Sequence, residues 1–191
     1  DALDLHDLAP AFVVAWECLL RVQSECVPLE AGSPADATAL PAKRHSGVWI
    51  DANDMLIVRL QRRKNRPGGS LLKRKCVCGQ WGSWRCPVHR MRKLLRTKRV
   101  GECLWSFSQS KMLAGLRRLL NLLAVPSASE YTLKTFRAGR ATQMAVSGNS
   151  LGDILMAGEW RSSAFARYVD DDHVDAAAVL RATIDASDDE A

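Results

Sequence analysis

Residues Ala11 to Leu20 form an almost wholly apolar run, and the next residue is Arg21. A run of this length and continuity predicts a buried helix, because a strand would be shorter and a surface helix would alternate. The first helical region is read as Leu3 to Cys26, capped by Asp7 and entered through Pro10. A cation just past a buried helix needs a partner, since burying it unpaired is costly. Glu25, four residues on, can hold Arg21 across one helical turn.

The chain of 191 residues is long enough for one well-buried domain. No apolar run approaches the roughly 18–20 residues needed to span a bilayer, and the acidic N-terminus lacks the basic start of a signal peptide. The start at Asp1 reads as that of an excised segment. Net charge is +6, but its placement says more: Arg59 to Arg99 holds 15 Lys/Arg and no Asp or Glu. From Asp170 onward there are eight Asp/Glu and one Arg. A basic block of that size suits a polyanionic partner, because phosphate contacts release counterions.

Val27 to Ser46 reads as loop, with Pro28, Gly32, Pro34 and Pro41. Gly47 to Leu60 alternates as a β-hairpin about the turn Asp51–Asp54. Gln61 to Arg66 then carries four cations, Arg62, Arg63, Lys64 and Arg66, of which the three arginines are candidate DNA contacts. Within residues 75–90, Cys76, Cys78, Cys86 and His89 place four soft ligands in 14 residues. That set suits a tetrahedral structural Zn²⁺, since four protein ligands leave no open catalytic position. Cys18, Cys26 and Cys103 lie outside the cluster and read as core or incidental. Arg90 to Arg99 is read as a basic helix, and Ser110 to Leu123 as an amphipathic helix with Met112, Leu113, Leu116, Leu119, Leu120 and Leu123 at helical spacing.

The stretch from Lys134 to Tyr168 carries the chemistry. Lys134 and Arg137 open a helix to Ser147, and a turn at Ser147–Ser150 follows. A short apolar run, Leu151 to Met156, leads into Gly158, Glu159 and Trp160, and Tyr168 comes eight residues after that Trp. Met144, Val146, Leu151, Ile154, Leu155 and Met156 are read as core. A tyrosine hydroxyl is a poor nucleophile at neutral pH, so converging cations would be needed to make it one.

This ordered set resembles box II of the tyrosine recombinases, the phage-integrase family. There a His or Lys stands three residues before an Arg, followed by Ala-Thr, a Gly and a His/Trp, and the nucleophilic Tyr. Here these are Lys134, Arg137, Ala141-Thr142, Gly158, Trp160 and Tyr168. The Trp-to-Tyr interval of eight, against the common nine, resembles the DIRS and Crypton recombinases of eukaryotic mobile elements. Leu20-Arg21 with Glu25 is similar to box I, which supplies the first phosphate-binding Arg. Lys64 is the first choice for the lysine that the family places on or beside a β-hairpin between the two boxes.

The resemblance implies an α+β, mostly helical catalytic fold over residues 1–191 with a small antiparallel sheet and a zinc-binding insertion. The family's upstream DNA-clamping domain is expected to be missing. Residues 170–191 would form an acidic C-terminal helix (Val174 to Ile184) and tail. The implied activity is DNA cleavage and rejoining through a covalent 3′-phosphotyrosine, without a catalytic cofactor. Tyr168 would attack, Arg21 and Arg137 would grip the non-bridging oxygens, and Lys64 would protonate the leaving 5′ oxygen. Lys134 would take the tyrosine proton or bind phosphate, while Trp160 would donate its indole N–H or buttress Tyr168. The implied partners are double-stranded DNA and further copies in a tetrameric synapse, in the nucleus of a eukaryote or otherwise the cytoplasm, with no membrane. Other readings are a DNA-binding remnant that no longer cuts, a type IB topoisomerase-like enzyme, and a plain zinc-dependent nucleic-acid module.

Overall fold

The computed structural model describes residues 5–38, 45–63, 66, 68–81, 83 and 85–160. Among them are six α-helices and one four-stranded sheet, an α+β arrangement. No helix among the described residues is long and apolar enough to cross a membrane.

Helix α1 (Leu5–Glu17) is the hub. Leu8, Ala11, Val14 and Ala15 are fully buried, and α1 packs on α3 (Pro87–Leu95), α4 (Gln109–Leu122) and α5 (Thr135–Val146). Contact on several sides explains why its apolar residues form a run instead of a stripe. Pro10 lies inside the helix rather than at its entry, where its missing N–H removes one helical bond. The helix also stops well short of Cys26. Leu19 takes a left-handed backbone (φ 49°), its N–H bonds to Trp16 O at 3.2 Å, and Leu20 N–H bonds to Ala15 O at 2.9 Å. That is the Schellman pattern, which usually has glycine at the left-handed position. Val22–Cys26 then forms a separate π-helical turn, with Val27 N–H on Val22 O at 2.8 Å.

The hairpin forms where the alternation placed it. β2 (Gly47–Ile50) pairs antiparallel with β3 (Leu56–Leu60), Val48 opposite Val58. Asp51 Oδ1 accepts from the Asn53 and Met55 N–H groups at 2.9 Å each, which fixes the turn. Two strands were not anticipated. β4 (Ser70–Arg74) continues the antiparallel order beyond β3, and β1 (Glu30–Ala31) runs parallel to β2. The sheet is therefore mixed, in the order β1-β2-β3-β4, and not purely antiparallel. β1 lies in the segment read as loop, held by Ala31 N–H on Glu102 O and Leu104 N–H on Leu29 O. Contacts this distant in sequence leave no local periodicity to read.

The main core joins α1, the sheet, α3, α4 and Phe136 of α5. Short helix α2 (Cys78–Trp81) leads toward α3. Ser108 caps α4 by accepting from Lys111 N–H at 3.3 Å, and Ser150 caps α6 (Leu151–Gly158) by accepting from Asp153 N–H at 3.1 Å. A second, smaller core of Leu19, Ala141, Ile154 and Trp160 sits between α5 and α6. Two residues expected in the core are not there: Val146 is 65% and Met156 78% exposed. Cys18 and Cys26 are buried and Cys103 is exposed, all three as free thiols. The expected helix 174–184 and the acidic tail lie outside the described residues.

α4 ends with the same motif as α1. Ala124 has φ 52°, its N–H reaches Asn121 O at 3.0 Å, and the Val125 N–H reaches Leu120 O at 2.9 Å. Ala124 is exposed, so its Cβ gains no packing to offset the backbone cost. Ala124→Gly is expected to stabilise the fold by about 0.5–1 kcal/mol in urea denaturation, because only the left-handed strain is removed. A loss of stability would show that the strain is absent.

Candidate functional site

The turn after α1 creates the floor of the site. Because Leu19 is left-handed, its carbonyl accepts from two guanidinium groups: Arg137 Nη1 at 2.7 Å and Arg63 Nη2 at 3.3 Å. Two residues on, the π-helical turn brings Glu25 back over its own start. Glu25 accepts from the Arg21 backbone N–H at 2.9 Å and from Arg21 Nη1 at 2.7 Å. Only 2% of Glu25 is exposed. Its carboxylate also takes Arg63 Nε at 3.3 Å and lies 3.8 Å from Arg137 Nη1. Three arginines from segments far apart in sequence thus share one buried anion.

Arg137 occupies the first turn of α5 and is itself buried. Beyond Leu19 and Glu25, its Nη2 donates to Gly158 O at 2.7 Å, and its guanidinium lies 4.3 Å from the centre of the Trp160 ring. The contact is a cation–π stack. Trp160 thus lies against Arg137, 7% exposed, with its ring over Gly158. A Cβ on residue 158 would come within 1.8 Å of that ring, which explains the glycine by space alone.

Arg21 and Arg137 line the same cleft of about 360 Å³, together with Lys134. Arg21 keeps 30% of its side chain exposed, and Lys134 is exposed just before α5. α5 starts with no side-chain cap and no acid in its first turn, and its Thr135 and Arg137 N–H groups bond the Thr132 and Lys134 carbonyls instead. Tyr168 and Lys64 lie outside the described residues.

Arg62 is exposed and Arg66 is 45% exposed at the side chain. Arg63, expected as a third DNA contact, is corrected: its side chain is only 3% exposed, and all three nitrogens donate internally. Its Nη1 bonds Glu159 Oε2 at 2.7 Å. Arg63 and Arg66 exchange backbone hydrogen bonds in an isolated bridge beyond the end of β3. Glu159 was missed by sequence reasoning. It closes α6 in a left-handed conformation (φ 50°) and also accepts from the Ser70 hydroxyl. Its place between Gly158 and Trp160 was the available signal, but its partners come from β4 and the far hairpin.

Away from the cleft, Cys76, Cys78, Cys86 and His89 bring one ligand atom each within 4.8 Å of one another. Cys86 Sγ lies 3.7 Å from Cys76 Sγ, and the His89 Nδ1 distances to Cys76, Cys78 and Cys86 are 3.7, 3.1 and 3.4 Å. A zinc tetrahedron with Zn–S of about 2.3 Å and Zn–N of about 2.0–2.1 Å has edges of roughly 3.5–3.8 Å. The sulfur separation is far beyond the roughly 2.05 Å of a disulfide. Burial pushes the Cys86 thiol up, but its contacts with His89 and the Val77 backbone outweigh this and bring it to about 6. Desolvation and the neighbouring thiols push Cys78 up to about 12. Packed thiols resist ionising together without a cation, and a divalent metal would remove that conflict. Gly79 lies between the ligand pairs, and Gly82 falls outside the described residues.

Comparison with protein-family models, with curated proteins and with solved structures finds no match.

Glu25→Gln is expected to cost about 3–5 kcal/mol of folding stability in guanidinium denaturation, because Arg63 and Arg137 would stay buried without their shared anion. A cost below about 1 kcal/mol would mean that carbonyl acceptors alone hold the cluster. A second expectation concerns acid. Burial raises the Glu159 carboxyl, yet Ser70 and Arg63 outweigh it and hold the group below its ordinary value of 4.5. The ionised pair therefore contributes fully above about pH 4.5, and this is lost as pH falls through the lower folded value. The stability gap between wild type and Glu159→Gln should be widest near neutrality and close below about pH 4.5. A gap unchanged from pH 6 to pH 3 would refute the pairing.

Proposed function

We propose that this chain is the catalytic domain of a tyrosine recombinase, which cleaves and rejoins double-stranded DNA through a covalent 3′-phosphotyrosine. The observation that carries the reading is the shared cleft. Arg21, named from the first motif, lines one hollow at the start of α5 with Lys134 and Arg137, named from the second. Such a site suits a phosphodiester, whose non-bridging oxygens gain charge as a pentacoordinate state forms. Arg21, anchored by Glu25 yet partly exposed, is preoriented to grip a phosphate oxygen. Lys134 supplies a titratable ammonium at the rim, and Arg137 reinforces the positive field from below.

Tyr168 attacks phosphorus in line and its proton leaves to a base. The P–O bond to the 5′ oxygen breaks, and Lys64 returns a proton to that oxygen. A 5′-hydroxyl from a partner strand then displaces the tyrosine, so the phosphoester bond count is conserved and no ATP is consumed. Copies would assemble on DNA for this exchange. Cys76, Cys78, Cys86 and His89 would hold a zinc ion in a structural role, with neither ligand set nor location suited to the cleavage step.

One observation favours a second reading, in which the chain binds DNA without cutting it. Both terminal nitrogens of Arg137 donate to backbone carbonyls, those of Leu19 and Gly158. Catalysis would require at least one of these bonds to be shared or exchanged for phosphate.

A nicked suicide duplex, which loses its leaving strand on cleavage, separates the two. The recombinase reading expects a covalent protein–DNA adduct on denaturing gels, abolished by Tyr168→Phe and reduced about 10²–10³-fold in rate by Arg21→Ala. No adduct from wild type, or an undiminished one from Tyr168→Phe, would reject it.

A further inference from the structure

The long basic block sorts into two populations once its partners are known. Arg63 binds Glu25 and Glu159, Arg85 binds Glu17 and Gln143, Arg92 binds Asp54, and Lys98 binds Glu102. Arg74 donates to the Glu17 backbone carbonyl at 2.7 Å. Arg63, Arg74 and Arg85 tie distant segments together, while Arg92 and Lys98 are paired at the surface. Lys73, Lys75, Lys93 and Arg96 do something else. All four are exposed, and none forms an ion pair among the described residues.

Their positions follow the metal ligands. Lys75 directly precedes Cys76, and Lys73 lies two residues further back, on the outward side of β4. Lys93 of α3 and its C-cap residue Arg96 follow His89 at spacings of four and seven residues, so the three share one exposed face. The ligand atoms of Cys76 and His89 lie within 4.8 Å of each other. The cluster therefore ties the end of β4 to the start of α3, and each tied segment carries two solvent-facing cations next to its ligand. Between Lys73 and Arg99 there are ten Lys/Arg and no Asp or Glu, so these cations have no carboxylate of their own segment to turn to.

We propose that the Cys76–Cys78–Cys86–His89 cluster, with zinc bound, sets Lys73, Lys75, Lys93 and Arg96 into one grip on the backbone of duplex DNA, outside the Arg21–Lys134–Arg137 cleft. The proposal rests on the DNA-binding part of the reading above and not on strand cleavage. Its physical content is preorganisation. The main core already holds β4 and α3 through Leu72, Val88 and Met91, and the metal would fix the segment between them, from Lys75 to His89, whose ordering would otherwise count against binding. With it, the two segments meet DNA as one rigid piece. The grip reads phosphate and carries no base specificity.

The test measures the affinity of the full chain for a random-sequence duplex by fluorescence anisotropy across a salt series. Surface charge removal leaves the fold intact, which makes Lys73→Ala/Lys75→Ala/Lys93→Ala/Arg96→Ala a clean variant. Each phosphate contact contributes a slope of about 0.9 in log K against log salt, so the quadruple variant should lose about 3–4 units of slope. A slope unchanged to within one unit overturns the proposal. In the second arm, zinc is stripped with a chelator and restored with zinc chloride. Stripping should lower affinity and reduce the slope, and zinc chloride should restore both in wild type but not in Cys76→Ser. Stripped protein with the full slope overturns the metal's part. A slope change confined to duplex RNA overturns the assignment to DNA. Wild type that binds duplex with the full slope yet forms no adduct rejects cleavage and leaves this grip standing.

Discussion

Glu25 is the constraint on which the rest of the site depends. A carboxylate with 2% exposure needs cations and donors in place of the water it has lost. Here Arg21 comes from the same turn, Arg63 from the end of the hairpin, and Arg137 from α5. Three positive charges on one negative leave a surplus, and the surplus is spread over carbonyls at Leu19 and Gly158 and over the second carboxylate, Glu159. The positive cleft beside them is a consequence of this imbalance. Arg21 sits where the surplus reaches solvent, so the residue most able to meet an outside anion is also the one whose backbone and side chain are both tied to Glu25.

Backbone geometry is bent to serve that arrangement. Leu19 and Glu159 both adopt the left-handed conformation that costs a non-glycine residue about 1–2 kcal/mol. Each closes a helix with a Schellman motif, and each delivers an acceptor to the arginines: the Leu19 carbonyl and the Glu159 carboxylate. Gly148, in the same motif after α5, carries no such burden and is the residue expected there. Glycine at position 19 would relax the backbone but forfeit a side chain that is buried against Ile154 and Trp160 in the small core. Strain and packing are balanced at one residue.

Those two residues also mark where the sequence stops being readable. The hairpin, α4 and α5 follow from periodicity and turn residues, all local signals, whereas α6 reads in sequence only as a short apolar run. The end of α1 has no glycine or proline to announce it, so the predicted helix runs straight through Leu19 to Cys26. β1 and β4 are short and depend on partners supplied by β2, β3 and residues 102–104. Cys76, Cys78, Cys86 and His89 were legible because ligand type and spacing carry their own chemistry. Arg63 was not, since nothing in Arg62-Arg63-Lys64 distinguishes a cation bound for the interior from its neighbours. Val146 and Met156 fail in the opposite sense: helical spacing names a face but not whether anything packs against it.

The fate of Arg63 points to how an acid-free block of this length folds at all. Its cations cannot neutralise one another, so anions must come from elsewhere, and two of the buried ones flank the end of α1. Glu17 binds Arg85 at 3.5 Å and Arg140 at 3.0 Å, while its backbone carbonyl takes Arg74. Glu25, eight residues on, gathers Arg21, Arg63 and Arg137. The N-terminal segment thus draws in the hairpin end, the approach to α3 and the first two turns of α5. Cations that reach those two carboxylates become structural and lose access to solvent. Lys73, Lys75, Lys93 and Arg96 stay outside, with no ion pair among the described residues. Arg63, Arg74 and Arg85 are thus drawn inward by acceptors on a segment far away in sequence, a pairing no local sequence pattern encodes.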